Sequence, residues 1–322
     1  MDWIGLAQVL ALGLALVWAM TAARIAWVLT RPPRRTLAFA VSRGWAPSPQ
    51  DVPATLGGPR GFEEWLLRLR GRDLPVWDIP GDGGPGAPIV IFTHGWAESR
   101  LHGLWRLEAW LPAASRIVLW DLPGHGEAPG TCRLGSDEHL DLLALVDRVL
   151  GDEGRDGPGI TNPPPIILHG FSLGAGVSIV AAAVAGPERV AAVVAEAPYG
   201  VPQTPARAVM HHAGLGLPLA RAAAQGLLGL VWGEGLWWAT AARAPRFDRG
   251  AWAARLKVPL LVLHGQADQI CPPDDGRAIA GGAKDGRFVA LSDAAHLDLW
   301  MAPQPRAACI RAVRDFIIRS SG

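Results

Sequence analysis

The chain has 322 residues, half of them hydrophobic, so it is long enough to bury the core of one large α/β domain. Its formal charge is +1, from 30 basic and 29 acidic residues, and no long basic run occurs in its body, which argues against a nucleic-acid partner. The cysteines Cys132, Cys271 and Cys309 are far apart and form no CxxC pair, so we expect neither a disulfide framework nor a zinc site.

The first predicted element is a single membrane-spanning helix. Trp3 to Ala23 reads WIGLAQVLALGLALVWAMTAA without a charge, and about 20 helical residues cross a hydrocarbon layer of ~30 Å. The basic residues follow this run: they are Arg24, Arg31, Arg34 and Arg35. The positive-inside rule therefore places the body of the protein in the cytoplasm. A cleaved signal peptide is the alternative, but it requires positive charge before the run, where only Asp2 carries a charged side chain.

The chain then divides by composition. Residues 1–35 are predicted to form the anchor and its basic flank, and residues 36–63 a linker rich in proline. Residues 64–322 form the predicted α/β domain. It opens with two runs, Glu64 to Arg70 and Leu74 to Ile79, that predict an antiparallel hairpin.

Short apolar runs then alternate with segments that are compatible with helices. The runs are PIVIFTHG (88–95), RIVLWDLPGHG (116–126), PPIILHG (164–170), VAAVVAEAP (190–198), VPLLVLHG (258–265) and RFVALSD (287–293). Their continuous hydrophobicity predicts strands covered on both faces. Helices are predicted at Asp137 to Leu150 and at Leu173 to Ala185. This βαβ series predicts an α/β fold with a mostly parallel sheet flanked by helices.

Ser172 lies in the sequence Gly170-Phe171-Ser172-Leu173-Gly174, which matches G-x-S-x-G. Between a strand and a helix, this motif forms a sharp turn that exposes the serine hydroxyl at the helix N-terminus. Gly170 and Gly174 would let the strand and the helix approach closely. The alternative is a glycine-rich turn whose serine only caps the helix.

A serine needs a base to become a nucleophile, and the base needs an orienting partner. Asp268 follows the run LLVLHG, and His296 follows the last predicted strand. Because ligands bind beyond the carboxyl ends of parallel strands, we expect these two residues near Ser172. The rival acids are Asp274, Asp275, Asp293 and Asp298. The histidines His94, His169 and His264 each precede a glycine at a strand end and are interpreted as turn residues.

With these motifs in place, the chain resembles the α/β-hydrolase superfamily, close to its serine esterase, lipase and aminopeptidase-like branches. The resemblance covers about residues 64–318 and rests on HGW (94–96), DLPGHG (121–126), GFSLG (170–174), HGQAD (264–268) and AAH (294–296), in the family's order. It implies that Ser172 is the nucleophile, His296 the general base and Asp268 its orienting acid. It also implies an oxyanion hole formed by the backbone N–H groups of Trp96 and Leu173.

Residues 198–256 exceed what one crossover helix needs, and the resemblance implies that they form a cap over the site. This insert contains Trp232, Trp237 and Trp238, which suit either an apolar substrate site or a core or membrane-interface role.

The expected function is that of a membrane-anchored serine hydrolase. It would cleave the ester or thioester bond of a small-molecule or lipid-like substrate, without a metal or an organic cofactor. Three alternatives remain: a serine aminopeptidase or amidase, an acyltransferase, and a catalytically silent binding module of the same fold.

Overall fold

The computed structural model describes residues 2–84, 86–153, 164–212 and 247–320. Its centre is one eight-stranded sheet with the order β1-β2-β4-β3-β5-β6-β7-β8. The strands are β1 (Glu63–Leu69), β2 (Arg72–Pro80), β3 (Ile89–Thr93), β4 (Arg116–Trp120), β5 (Ile166–Phe171), β6 (Ala192–Glu196), β7 (Leu260–Gly265) and β8 (Gly286–Leu291). The hairpin β1–β2 is antiparallel and pairs antiparallel with β4, whereas β3 to β8 are parallel. The predicted α/β fold with a mostly parallel sheet is confirmed.

Helices cover both faces of this sheet. They are α1 (Trp3–Thr30), α2 (Leu37–Ser42), α3 (Leu107–Trp110), α4 (Glu138–Glu153), α5 (Leu173–Ala185), α6 (Gln203–His212), α7 (Arg249–Ala253), α8 (Pro273–Gly282) and α9 (Pro303–Ser320). A 3-10 helix at Arg100–Arg106 precedes α3. The core has two layers: α4, α5, α7 and α8 contribute to one, and α2, α3 and α9 to the other. Alternate residues of β3 belong to opposite layers, as the pleat of a buried strand requires.

The prediction of strands buried on both faces holds for β3, β5, β6 and β7, whose described residues are all buried. It is wrong for β8, in which only Leu291 is buried. β8 ends the sheet and has a neighbour on one side alone. An edge strand with the run RFVAL can therefore look as apolar as a central strand although most of its side chains are only partly covered.

The N-terminal helix is longer than the predicted span, since α1 continues from Ala23 to Thr30. Up to Met20 its side chains are exposed or half-exposed, and among the described helices it alone is long and apolar enough to cross a bilayer. Its last part is different, because five side chains at helical spacing are buried against the body: Ala22, Ile25, Ala26, Leu29 and Thr30. The N–H of Cys132 also donates to the carbonyl of Thr30 at 2.9 Å.

The domain boundaries at residues 35 and 63 remain predictions. The segment predicted as a linker contains α2, and its residues Ala40 and Val52 are buried in the core. The described part of the predicted cap, residues 198–256, contains α6 and α7. Trp232, Trp237 and Trp238 lie outside the described residues.

Candidate active site

Ser172 occupies the turn between β5 and α5. Its backbone angles are φ 51° and ψ −108°, a conformation that an L-residue adopts only under constraint. The N–H of Ser172 donates to the carbonyl of Glu196 on the neighbouring strand at 2.8 Å, which holds the turn. The hydroxyl therefore projects at the carboxyl edge of the sheet, at the N-terminus of a helix.

Two glycines make this turn possible. A Cβ at Gly170 would lie 2.2 Å from the carbonyl oxygen of Gly174, and a Cβ at Gly174 would lie 2.0 Å from the carbonyl oxygen of Thr93. Both positions therefore exclude a side chain, because the obstructing atoms belong to the backbone and cannot rotate away.

We expect Gly174→Ala to lower the free energy of unfolding by about 1–3 kcal/mol and to reduce activity, because β3 and α5 must separate to admit the methyl group. Chemical unfolding in detergent measures the first effect. Gly281→Ala is the matched control, since a Cβ at Gly281 in α8 meets no atom within 4 Å. Equal stability of the two variants would contradict the close approach at Gly174.

The three predicted chemical residues meet at this edge. The Nε2 atom of His296 lies 3.1 Å from the hydroxyl oxygen of Ser172, and its Nδ1 atom lies 2.7 Å from Oδ2 of Asp268. A neutral imidazole that donates from Nδ1 to the carboxylate keeps Nε2 free to accept the serine proton. The geometry is that of a nucleophile, a base and an orienting acid in one hydrogen-bonded chain.

The carboxylate of Asp268 is buried and well supplied with donors. Its Oδ1 atom accepts the N–H groups of Ile270 and Cys271, each at 2.8 Å. Burial by itself raises its pKa, but the side-chain hydrogen bonds from His264 and His296 outweigh this and hold the pKa of Asp268 well below its ordinary value. Asp268 therefore remains ionised beside His296.

Two of the rival acids have other partners. Asp275 accepts the N–H of Gly200 at 2.9 Å, and Asp298 accepts the N–H of Ala295 at 3.0 Å. The first contact joins α8 to the segment after β6, and the second lies within one turn. Among the candidate acids, the hydrogen bond to His296 belongs to Asp268.

The two residues predicted as oxyanion donors, Trp96 and Leu173, line the same cavity as Ser172. Leu173 is the first residue of α5, and Trp96 lies in the loop after β3. Glu98 braces this loop, because its carboxylate accepts the N–H of Gly95 at 3.0 Å. The indole N–H of Trp96 donates to the carbonyl of Leu29 in α1 at 3.0 Å.

An apolar cavity of about 40 Å³ opens onto Ser172. Among the described residues its lining consists of Leu29, Trp96, Leu134, Ser172, Leu173, Tyr199, Pro202, Pro205, Ala206 and Val209. Burial raises the pKa of Tyr199 to about 12, so this phenol stays neutral. The cavity can receive the apolar part of a substrate whose reactive carbonyl lies at Ser172.

The histidines interpreted as turn residues have more specific roles, and of the three only His94 follows its strand, since His169 lies within β5 and His264 within β7. The Nε2 atom of His264 lies 2.9 Å from the carbonyl oxygen of Cys271 and 3.3 Å from Oδ2 of Asp268, so His264 orders the loop that carries the acid. His94 accepts the N–H of Leu122 at 3.0 Å and is fully buried, and burial lowers its pKa to about 4. His94 therefore stays neutral and links the loops after β3 and β4.

The interpretation of His169 as a turn residue is wrong. It lies inside β5, its Nδ1 atom accepts the indole N–H of Trp110, and its Nε2 atom contacts Glu196 at 2.5 Å. Glu196 also binds Arg106 and Trp300. Burial alone would raise the pKa of Glu196, but Arg106 and His169 lower it to about 2.

Sequence reasoning missed this buried network, although a signal for it exists. Glu196 ends the apolar run VAAVVAE, and a carboxylate buried in a central strand requires an opposite charge close by. The partner Arg106 lies in a different segment, so the sequence does not name it. The backbone carbonyl of the same residue, Glu196, accepts the N–H of Ser172.

The described residues contain no group of three or more His, Cys, Asp and Glu side chains that could hold a metal ion. Cys132, Cys271 and Cys309 are buried free thiols. The Sγ atom of Cys271 lies 4.0 Å from the hydroxyl oxygen of Ser172. Burial raises the pKa of this thiol well above its ordinary value, so it remains protonated.

The order of the strands, the strained turn at Ser172 and the geometry of the site are together those of an α/β hydrolase. The chain belongs to the alpha/beta hydrolase family, whose sequence model matches residues 90–312. The uncharacterized protein YfhR of Escherichia coli O157:H7 is 26% identical over 235 residues, which are 71% of this chain and 70% of that protein.

Two solved structures share the fold. Esterase Pf2001 of Pyrococcus furiosus superposes with a TM-score of 0.64 at 18% identity, over 91% of this chain and 100% of that one. Esterase RhEst1 of Rhodococcus sp. ECU1013 does so with a TM-score of 0.54 at 21% identity, over 80% and 98% of the two chains. At these identities the similarity establishes the fold.

Proposed function

We propose that this protein is a serine hydrolase that cleaves carboxylic ester or thioester bonds through an acyl-enzyme. The observation that carries the proposal is the hydrogen-bonded chain from Ser172 through His296 to Asp268, at 3.1 and 2.7 Å. It lies at the carboxyl edge of the sheet, beside an apolar cavity. The names of the two structural relatives, both esterases, are consistent with it.

The first half of the reaction forms the acyl-enzyme. The Ser172 oxygen attacks the carbonyl carbon while Nε2 of His296 takes its proton. The backbone N–H groups of Trp96 and Leu173 stabilise the oxyanion, and one such donor contributes about 3–4 kcal/mol. The imidazolium, stabilised by Asp268, then gives its proton to the departing alcohol or thiol.

The second half releases the acid. A water molecule loses a proton to Nε2 of His296 and attacks the acyl carbon, and the intermediate collapses with return of that proton to Ser172. No step requires a redox change. Alcohols and thiols are better leaving groups than amines, so we propose esters and thioesters, and not amides, as the substrates.

We also propose that α1 is a retained anchor and that the catalytic body lies in the cytoplasm. The exposed apolar part of α1 and the arginines that follow it support this. The burial of Ile25 and Leu29 against the body supports retention over cleavage, because a cleaved leader would leave that surface uncovered.

A fluorophosphonate probe tests these proposals together. We expect it to label the full-length chain in the alkali-washed membrane fraction, and Ser172→Ala to abolish labelling. Ser178→Ala is the matched control, since Ser178 is a buried serine of α5 outside the site, and its labelling should persist.

Labelling that survives Ser172→Ala, or a folded chain that never labels, would overturn the nucleophile assignment and favour a silent binding module. Labelled protein that is soluble and lacks its N-terminal segment would overturn the anchor. Product analysis with p-nitrophenyl butyrate, an aminoacyl anilide and added alcohol separates esterase, amidase and acyltransferase activity.

A further inference from the structure

The N-terminal helix reaches the cavity at the candidate nucleophile. Leu29 is the penultimate residue of α1; its side chain is 1% exposed and lines that cavity together with Ser172 and Trp96. Its carbonyl accepts the indole N–H of Trp96, whose backbone N–H is the proposed oxyanion donor. The anchor helix therefore contributes both a wall of the cavity and a support for the oxyanion loop.

With α1 as the proposed membrane anchor, the position of Leu29 along the helix places the cavity at the membrane surface. The exposed apolar part of the helix extends to about Thr21, and its length matches the hydrocarbon layer. From Thr21 to Leu29 the helix rises about 12 Å, which spans the headgroup layer of one leaflet. Arg24 and Trp27, both exposed in this section, have the character of interfacial residues.

The cavity suits an acyl chain better than a polar group. The residues that line it with Leu29 include Pro202, Pro205, Ala206 and Val209, all apolar. Its enclosed volume is small, about 40 Å³. A long chain would fill it and extend beyond it, toward the bilayer that α1 is proposed to span.

We propose that the end of α1 is a wall of the acyl site and that the substrate is a long-chain acyl ester drawn from the bilayer that α1 spans. The proposal rests on the serine hydrolase function proposed above and adds its substrate class and a specificity-determining residue, Leu29. The ester enters along α1, its carbonyl stops at Ser172, and Leu29 limits the chain that fits.

A larger and a smaller side chain at Leu29 test whether this residue limits the length of the acyl chain. Leu29→Trp fills the cavity, so we expect the ratio of kcat/KM for p-nitrophenyl laurate to that for p-nitrophenyl butyrate to fall by about tenfold or more. Leu29→Ala enlarges the cavity, so the same ratio should rise by about threefold. Loss of folding or undocking of α1 would not move the ratio in opposite directions.

Leu16→Trp and Leu16→Ala are the matched controls, because Leu16 lies on the same helix and is 62% exposed. Both should keep the parent's ratio. Fluorophosphonate labelling of Ser172 verifies that each variant has a formed site. A ratio that shifts the same way in both Leu29 variants, or stays unchanged in them, would overturn the role of Leu29.

The route of the substrate is tested with the full chain reconstituted in dioleoylphosphatidylcholine vesicles. 4-Methylumbelliferyl palmitate is supplied either in the same vesicles or in separate ones, and we expect much faster hydrolysis in the same vesicles. The soluble butyrate ester should react equally in both formats. Equal palmitate rates would overturn delivery from the bilayer, whereas a chain that cleaves neither ester and does not label would overturn the proposed function itself.

Discussion

Replacing His296 with alanine is expected to lower kcat for ester hydrolysis by about 10⁴-fold or more, with little change in KM. The reason is the 3.1 Å contact between Nε2 and the Ser172 hydroxyl, which is the route by which the proton leaves the nucleophile. Without it the hydroxyl must lose its proton to water. Steady-state kinetics on p-nitrophenyl butyrate measures the loss.

Chemical rescue distinguishes a base from a structural residue at this position. The space left by the ring in His296→Ala lies between Ser172 and Asp268, so added imidazole should restore part of the activity. Ser172→Ala offers no nucleophile to activate and should not respond to imidazole. A fall of less than tenfold, or equal rescue of both variants, would contradict the assignment of His296.

Asp268→Asn is expected to lower kcat by about 10⁴-fold. The amide presents an N–H where the carboxylate accepts one, so it favours the imidazole tautomer that carries its proton on Nε2 and cannot accept from Ser172. It also removes the charge that stabilises the imidazolium. Because the pKa of Asp268 is held well below its ordinary value, the parent keeps this charge at neutral and mildly acidic pH, and the gap between parent and variant should persist there.

Asp274→Asn is the matched control for this substitution. Asp274 is an exposed aspartate at the start of α8, and we expect its variant to keep the parent's kcat. Chemical unfolding in detergent measures the stability of Asp268→Asn, and an unchanged free energy of unfolding would show that the loss of kcat comes from lost chemistry and not from lost structure. Equal kcat values in Asp268→Asn and Asp274→Asn would show that a residue other than Asp268 is the orienting acid.

The elements around Ser172 could be predicted closely. The predicted helix Leu173 to Ala185 has the bounds of α5, and the run 164–170 contains most of β5. Here the local signal is strong, because a buried apolar strand, two glycines and an alanine-rich helix follow each other without a gap. The order of Ser172, Asp268 and His296 along the chain identified the candidate site for the same reason, since each follows a recognisable strand.

The end of α1 was not predictable in the same way. The apolar run stops at Ala23 by composition, yet the helix continues to Thr30 and docks one face on the body. Five buried residues over nine positions give the pattern of any short amphipathic helix, so the pattern does not show what the helix packs against. The surface that receives it comes from segments around Trp96 and Cys132, far away in the sequence.

The sequence alone therefore determined the parallel sheet, the strained serine turn and the three residues that meet there, because each depends on local periodicity and on residue types at strand ends. Only the tertiary structure revealed that Arg106 partners Glu196 and that Leu29 of the N-terminal helix lines the cavity at Ser172. Both are contacts between distant segments, and their energy depends on a geometry that exists only after the sheet has formed.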